Sequence, residues 1–349
     1  MPARASAAIL PRMDWSAIAR HLAAYGLHLD GPAPTRFPGG LANQNYLVHV
    51  NGQPAVLRRP PDGPLPPGAH DMAREHRILS HLSGALPFVP RGLHVCTDTG
   101  VIGVAFQLIE YRPGLVIRAA LPDHLAGQPV VAAGLAETML QTLAAIHAAD
   151  PGALGLGDLG RPDGFLRRAV DGWRRRGLAV GHDGAAPLVT ELGAWLDAHM
   201  APDSLPALLH NDFKLDNLIL DNNLAVAAVV DWDQGTRGDP LFDLGTLLAY
   251  WTEADDPPAM HALQQMPTAA PGFPTREQAA LRYAALTGRD LSDVRFHRVL
   301  GILKLGVIFL QLHALHRRGA TTDPRYAGFG ALAAGLLQFA LDVAAGRRF

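Results

Sequence analysis

Cysteine is almost absent: Cys96 stands alone in 349 residues. No disulfide framework is available, and a reducing, cytoplasmic setting is expected. Neither sign of charge is in excess, the formal net charge being −2. That removes the broad field nucleic acid or a membrane surface would call for, and neither is expected as a partner. The N-terminal stretch holds no apolar segment long enough for a signal peptide. One apolar run, Val299 to Leu315, is broken by Lys304 and carries His313. It reads as a buried helix, because a membrane span needs about 20 predominantly apolar residues. Internal repeats are lacking, and nothing in the sequence specifies an oligomer. Hydrophobic residues are plentiful at 48%, enough for one large core or two modest ones.

The densest chemistry lies from Leu208 to Gln234, LLHNDFKLDNLILDNNLAVAAVVDWDQ. Ala207 to Leu209, Asn217 to Leu220 and Val226 to Val230 are short apolar runs bounded by turn residues, and they read as buried strands. Asp221-Asn222-Asn223 supplies the turn between the last two. His210, Asp212, Lys214, Asp216 and Asn217 therefore share one loop, and Asp231 leaves a strand beside it. Carboxylates and an amide delivered together need a partner, since unpaired buried charge is costly. A divalent cation with phosphate suits them, because hard cations take oxygen ligands.

The spacing His210-x-Asp212-x4-Asn217, with Asp231 after the next strand, is that of a kinase-type catalytic loop and metal loop. In that scheme one aspartate accepts the acceptor hydroxyl's proton, while an asparagine and a second aspartate hold magnesium. The wording HNDFKLDN followed by VVDWD resembles the aminoglycoside phosphotransferase and choline kinase superfamily. The resemblance implies Asp212 as the catalytic base and Asn217 and Asp231 as Mg2+ ligands. It implies His210 as support for the loop, and Asp243 in GDPLFDL as a buried brace on the loop's backbone amides. Lys214 is a candidate for a phosphate contact and Asp233 for a place behind the metal. Asp-Trp-Asp in place of Asp-Phe-Gly, and no Ala-Pro-Glu after it, argue against a protein kinase.

Upstream, Asp14 to about Tyr25 has the pattern of a capped amphipathic helix. Asn51-Gly52 between Tyr46–Val50 and Ala55–Arg58 is a strong hairpin signal. Gly39-Gly40 just before the first strand would let backbone amides approach a phosphate, although no Gly-Lys-Ser/Thr follows. The resemblance makes this the nucleotide loop, with Asn43, Gln44 and Asn45 as its polar members. Arg58 stands where kinases carry a lysine. Glu75, on a helix from about Asp71 to Leu82, is its expected partner. The alternative leaves Arg58 and Arg59 as solvated strand ends. VLRR-x-P and REHRIL resemble the branch of the superfamily associated with acyl-CoA dehydrogenases. Val101 to Ile109 reads as a strand, and Glu110 and Tyr111 after it resemble the adenine-binding hinge.

The fold class expected is α+β and kinase-like. An antiparallel N-lobe covers 1–110, a mainly helical C-lobe covers 111–349, and ATP lies in the cleft between them. The implied reaction moves the γ-phosphoryl group of ATP, with Mg2+, to a hydroxyl of a small molecule. The helix Phe165 to Arg176, FLRRAVDGWRRR, carries arginines that would suit an anionic acceptor, with Arg167 and Arg174 as contacts. A hydroxy acid or hydroxyacyl-CoA is the acceptor this favours. Glu253, Asp255 and Asp256 form an acidic patch that would instead suit an aminoglycoside or another amine. Two other classes stay open: a nucleotide-binding scaffold without turnover, and a metal-dependent hydrolase.

Overall fold

The structure, a computed structural model, describes residues 13–37, 43–61, 70–181, 184–321 and 323–349. Gly39 and Gly40 lie outside the described residues. The chain divides into two compact units, residues 1–80 with 90–111, and residues 81–89 with 112–349. Residues 81–89, assigned from sequence to the N-lobe, thus belong with the second unit. There the N–H of Val229 donates to the carbonyl of Phe88 (2.7 Å).

The first unit opens with α1 (Trp15–Ala23), whose N-cap Asp14 accepts from the N–H of Ala17. Five strands follow, β1 (Leu29–Arg36), β2 (Gln44–Val50), β3 (Gln53–Arg59), β4 (Gly92–Cys96) and β5 (Phe106–Glu110), with α2 (Met72–Leu82) between β3 and β4. They form an antiparallel sheet in the order β1-β2-β3-β5-β4. The β2–β3 turn is Asn51-Gly52, both with positive φ (51° and 75°), as a tight hairpin turn requires. Alternation along the strands sends Val48, Val50, Ala55, Leu57, Phe106 and Leu108 to one face, where they close over Ile18 and Leu22 of α1. Arg58 and Gln107, paired in register, occupy the other face.

Two strands here were not foreseen. β1 contains Gly31, Pro32 and Pro34, and β4 opens on Gly92; both are edge strands, where proline and glycine are tolerated. The strand expected from Val101 begins only at Phe106, because residues 99–103 turn.

The second unit is mostly helical. It comprises α3 (Pro129–Ala148), α4 (Phe165–Val180), α5 (Ala185–Ala198), β6 (Ala207–Leu209), β7 (Leu218–Leu220), β8 (Val226–Val229), β9 (Thr236–Gly238), α6 (Pro240–Tyr250), α7 (Pro258–Leu263), α8 (Arg276–Thr287), α9 (Val294–Arg317) and α10 (Phe329–Ala344). β6 pairs with β9 and β7 with β8, both antiparallel. α6 and α9 cross backbone to backbone: a Cβ on Gly245 would lie 2.4 Å from the carbonyl oxygen of His297, and one on Gly301 2.4 Å from that of Gly245. By length and composition α3, α9 and the stretch Pro324–Ala344 are each apolar enough to cross a membrane. In α9, however, 67% of that window is buried within the protein. Its Lys304 is turned inward as well.

Candidate active site

Two short ladders bring the polar residues together. β6 delivers His210, and the loop from there to Asn217 leads straight into β7. Across the β7–β8 ladder, the N–H of Val230 donates to the carbonyl of Asn217 (3.0 Å), so Asp231 emerges beside Asn217. Asn211 and Asp231 both take the left-handed conformation (φ 65° and 72°), which is uncommon outside glycine and marks places where the surroundings over-determine the backbone.

Those surroundings come largely from α6. The Asp243 carboxylate accepts from the N–H of His210 (2.7 Å) and of Asn211 (2.7 Å), one on each oxygen. His147 of α3 contacts Asp243 Oδ2 (3.3 Å) and Tyr283 (2.6 Å). Burial works to raise the Asp243 pKa, but the bond to His147 and the nearby His210 and Lys304 outweigh it and hold the carboxyl below its ordinary value. His210 is wholly buried. Its Nε2 donates to the carbonyl of Val230 (2.9 Å), and its Nδ1 accepts from the N–H of Asp212 (3.3 Å). The two bonds fix one tautomer and tie the loop to the end of β8. His210 supports the loop and has both nitrogens engaged. Its ring rests on Trp232 (centroids 4.7 Å apart).

Asp212 lies at the centre of this arrangement. Its Oδ2 accepts from Lys214 Nζ (2.6 Å) and from Asn217 Nδ2 (3.4 Å), and its Oδ1 from the Tyr250 hydroxyl (2.8 Å). Burial opposes the charge on Lys214, yet Asp212, Tyr250 and Asp216 more than offset it and hold the ammonium well above its usual range. Asp216 is pushed up to about 6, chiefly by burial and against the pull of Lys214, with Asp212 and Asp231 adding repulsion. Its Oδ1 is buried without a hydrogen bond. Asp233 is buried in the turn Trp232–Gln234 behind Asp231.

The donors here fit a hard divalent cation. Asn217 Nδ2 is committed to the backbone carbonyl of Asp212 (2.8 Å), which directs its Oδ1 the other way. With the Asp231 carboxylate alongside and Asp216 next in sequence, its Oδ1 3.7 Å from Lys214 Nζ, the set is all oxygen, as Mg2+ prefers.

Sequence reasoning missed two residues. Tyr250 is the last residue of α6 and looks like an ordinary core aromatic. Lys304 is buried in the apolar α9, where its ammonium donates to the carbonyl of Asn211 and lies 3.5 Å from Thr246 Oγ1. Burial brings Lys304 down to about 8 against the opposing pull of Asp212 and Asp243. The only clue in the sequence is a charge inside an otherwise apolar run.

In the first unit Arg58 and Arg59 are both buried, so the reading of them as solvated strand ends is wrong. Arg58 Nε donates to Glu75 Oε2 (2.8 Å), which also accepts from Gln107 (2.6 Å), and Arg58 Nη1 reaches Asn45 (3.3 Å). Asn43 accepts from His70 (2.9 Å). Glu110 accepts from the backbone N–H of Arg91 (3.0 Å), and Tyr111 stacks on Phe37 (6.3 Å).

The α4 arginines are a correction. Arg167 donates to Asp197 Oδ1, and Arg174 to Asp197 Oδ2 and to Asp171 (2.9 Å). One carboxylate on α5 thus pairs with both, and they tie α4 to α5. The acidic patch is likewise taken: Arg276 grips Asp256 (2.6 Å) and Glu253 (2.7 Å), and Arg348 pairs with Asp255.

Known proteins fit this geometry. Residues 34–281 match the model of the phosphotransferase enzyme family (APH). Acyl-CoA dehydrogenase family member 10 of Mus musculus is 29% identical over 323 residues, covering 91% of this chain but 30% of the relative's own length. The chain therefore spans under a third of that protein. A solved structure of a candidate aminoglycoside phosphotransferase from Ralstonia eutropha superposes with a TM-score of 0.77 at 25% identity, covering 96% of this chain and 99% of the other. The aminoglycoside phosphotransferase APH(4)-Ia, solved as a thermostable mutant with AMP-PNP and hygromycin B, gives 0.60 at 18% identity over 95% and 99% of the two chains. The α+β, kinase-like fold expected from sequence is the fold these structures share. With most of its length matched and this loop geometry in place, the chain belongs to the phosphotransferase enzyme family.

Proposed function

We propose that the protein is a small-molecule kinase that moves the γ-phosphoryl group of ATP to a hydroxyl, with Asp212 as the base. The observation that carries this reading is the Asp212 carboxylate held on Oδ2 by Lys214 (2.6 Å) and on Oδ1 by Tyr250 (2.8 Å). Its loop runs directly into Asn217. Asp212 orients the acceptor hydroxyl and takes its proton as the phosphoryl group transfers. Asn217 and Asp231 are the residues that would hold magnesium, and the ion, when bound, neutralises phosphate charge. Lys214 is drawn toward the incoming phosphates by the same attraction that now pairs it with Asp212.

The acceptor we propose is anionic, a hydroxy acid or hydroxyacyl-CoA. The carboxylates a polycation would need, Glu253, Asp255 and Asp256, are already paired with arginines. Arg176 has no carboxylate partner among the described residues, and its guanidinium lies 3.8 Å over the Trp173 ring. The match to a protein named for acyl-CoA dehydrogenase adds to this.

The test is ADP release from ATP and Mg2+ in the presence of hydroxylated metabolites, with Asp212→Asn as control. Turnover in the wild type that falls at least ~10²-fold in the variant is expected, the lower end for a positioned base. Equal turnover in both would remove Asp212 from the mechanism.

A further inference from the structure

We infer that Tyr250 is a positioning residue for the base, locking the plane of the Asp212 carboxylate through a bond from its hydroxyl to Oδ1. The inference rests on the phosphotransfer reading above. An aspartate side chain is short, and its terminal torsion is broad and soft. A donor on one oxygen alone would leave the other free to swing. Here the two oxygens are held from different elements: Oδ2 by Lys214 and Asn217 of the loop, Oδ1 by Tyr250 at the end of α6.

The placement of Tyr250 follows from helix geometry. Asp243, Thr246 and Tyr250 are spaced three and four apart and share a face of α6. Asp243 holds the backbone of residues 210 and 211, Thr246 meets Lys304, and Tyr250 reaches the carboxylate itself. One rigid helix thereby fixes the loop's backbone and its reactive side chain together. The ring also lies beneath the Lys214 ammonium (4.9 Å), so the same residue lines the lysine that competes for Asp212. Burial, and after it Asp212, push the phenol well above its ordinary pKa. The hydroxyl therefore keeps its proton and acts as a donor throughout the working range.

The experiment uses the full chain as wild type, Tyr250→Phe, Asp212→Asn and the double variant. Phenylalanine keeps the buried ring and removes only the hydroxyl. Turnover of ATP with Mg2+, to a panel acceptor or to water, is expected to fall about ten- to a hundredfold in Tyr250→Phe, because small misplacements of a reacting group cost that much. KM for the nucleotide is expected to stay unchanged. In the Asp212→Asn background the same substitution should cost almost nothing more. Thermal melts without ligands of wild type, Tyr250→Phe, Asp212→Ala and their double variant give a second cycle, since an asparagine oxygen would still accept the bond. Non-additive Tm changes are expected from a direct bond. Full turnover in Tyr250→Phe, an equal loss in both backgrounds, or additive melts would each overturn the assignment. A wild type that releases no ADP would strike the phosphotransfer reading itself, while the melts still decide whether the bond exists.

Discussion

Lys304 is a buried ammonium in an apolar helix, with a backbone carbonyl as its main acceptor. Its folded pKa of about 8 lies below the ordinary 10.5. Between those values the unfolded chain binds the proton more readily than the folded one, so this group makes stability rise with pH across that window. Below about pH 8 the cost of burying the charge is fully present. It amounts to about 3 kcal/mol at most. Lys304→Met should flatten that part of the stability curve, as read from denaturant melts between pH 7 and 10.5; an unchanged slope would mean the charge is not buried in solution. Asp231 invites a different test. Calorimetry should find that Mg2+ strengthens nucleotide binding to the wild type and no longer does so in Asp231→Ala. A dependence that survives would place the ion on other ligands. His210, Asp212, Asn217 and Asp231 were legible in the sequence because strand-loop-strand spacing packs them into one stretch of chain, whereas Asp243 was named only through the family resemblance of GDPLFDL. Tyr250 and Lys304 reach the same loop from α6 and α9. Nothing around Tyr250 distinguishes a brace from ordinary core, and Lys304 shows only as a charge inside an apolar run.

Elements succeed or fail on how closely they approach. α6 carries Asp243 and Tyr250, which hold the loop, and α9 backs it through the Gly245–Gly301 crossing, where either Cβ would meet a carbonyl oxygen at 2.4 Å. Gly301→Ala must push the helices apart. Overpacking of this kind typically costs about 1–3 kcal/mol, and here the displaced helix also carries Asp243 and Tyr250. The variant should therefore lose turnover beyond what its lowered Tm explains, measured well below the melting transition. Full activity with a lowered Tm would uncouple the crossing from the loop. The hairpin, α2 and α4 could be read from periodicity and turn chemistry, whereas β1 and β4 could not. An edge strand needs only one hydrogen-bonded neighbour, so it tolerates the prolines and glycines that disqualify a strand on paper. The α4 arginines failed for another reason: a charged stripe shows which face is polar, but not that Asp197 on α5 already occupies it.

At the scale of the molecule the question is which acceptor the site serves. Net charge is near balance at −2, so no overall field selects a cation or an anion, and selection must be local. Pairing decides it. The carboxylates of residues 253, 255 and 256 are each matched with an arginine, and a polycation would have to break those bonds to gain its own. Exposed ion pairs are weak, but Arg276 and Asp256 are buried, and separating a buried pair leaves an uncompensated charge at a cost of several kcal/mol. An anion meets no such barrier at Arg176, which is stacked on Trp173 without a carboxylate partner among the described residues. ATP turnover should therefore be stimulated by hydroxy acids or hydroxyacyl-CoA esters and not by kanamycin-type amines. Arg176→Gln should raise KM for such an anionic acceptor about tenfold, the order of one charge-assisted hydrogen bond, with KM for ATP unchanged. Stimulation by the amines alone would reverse the choice of acceptor and leave the family and the base where they are.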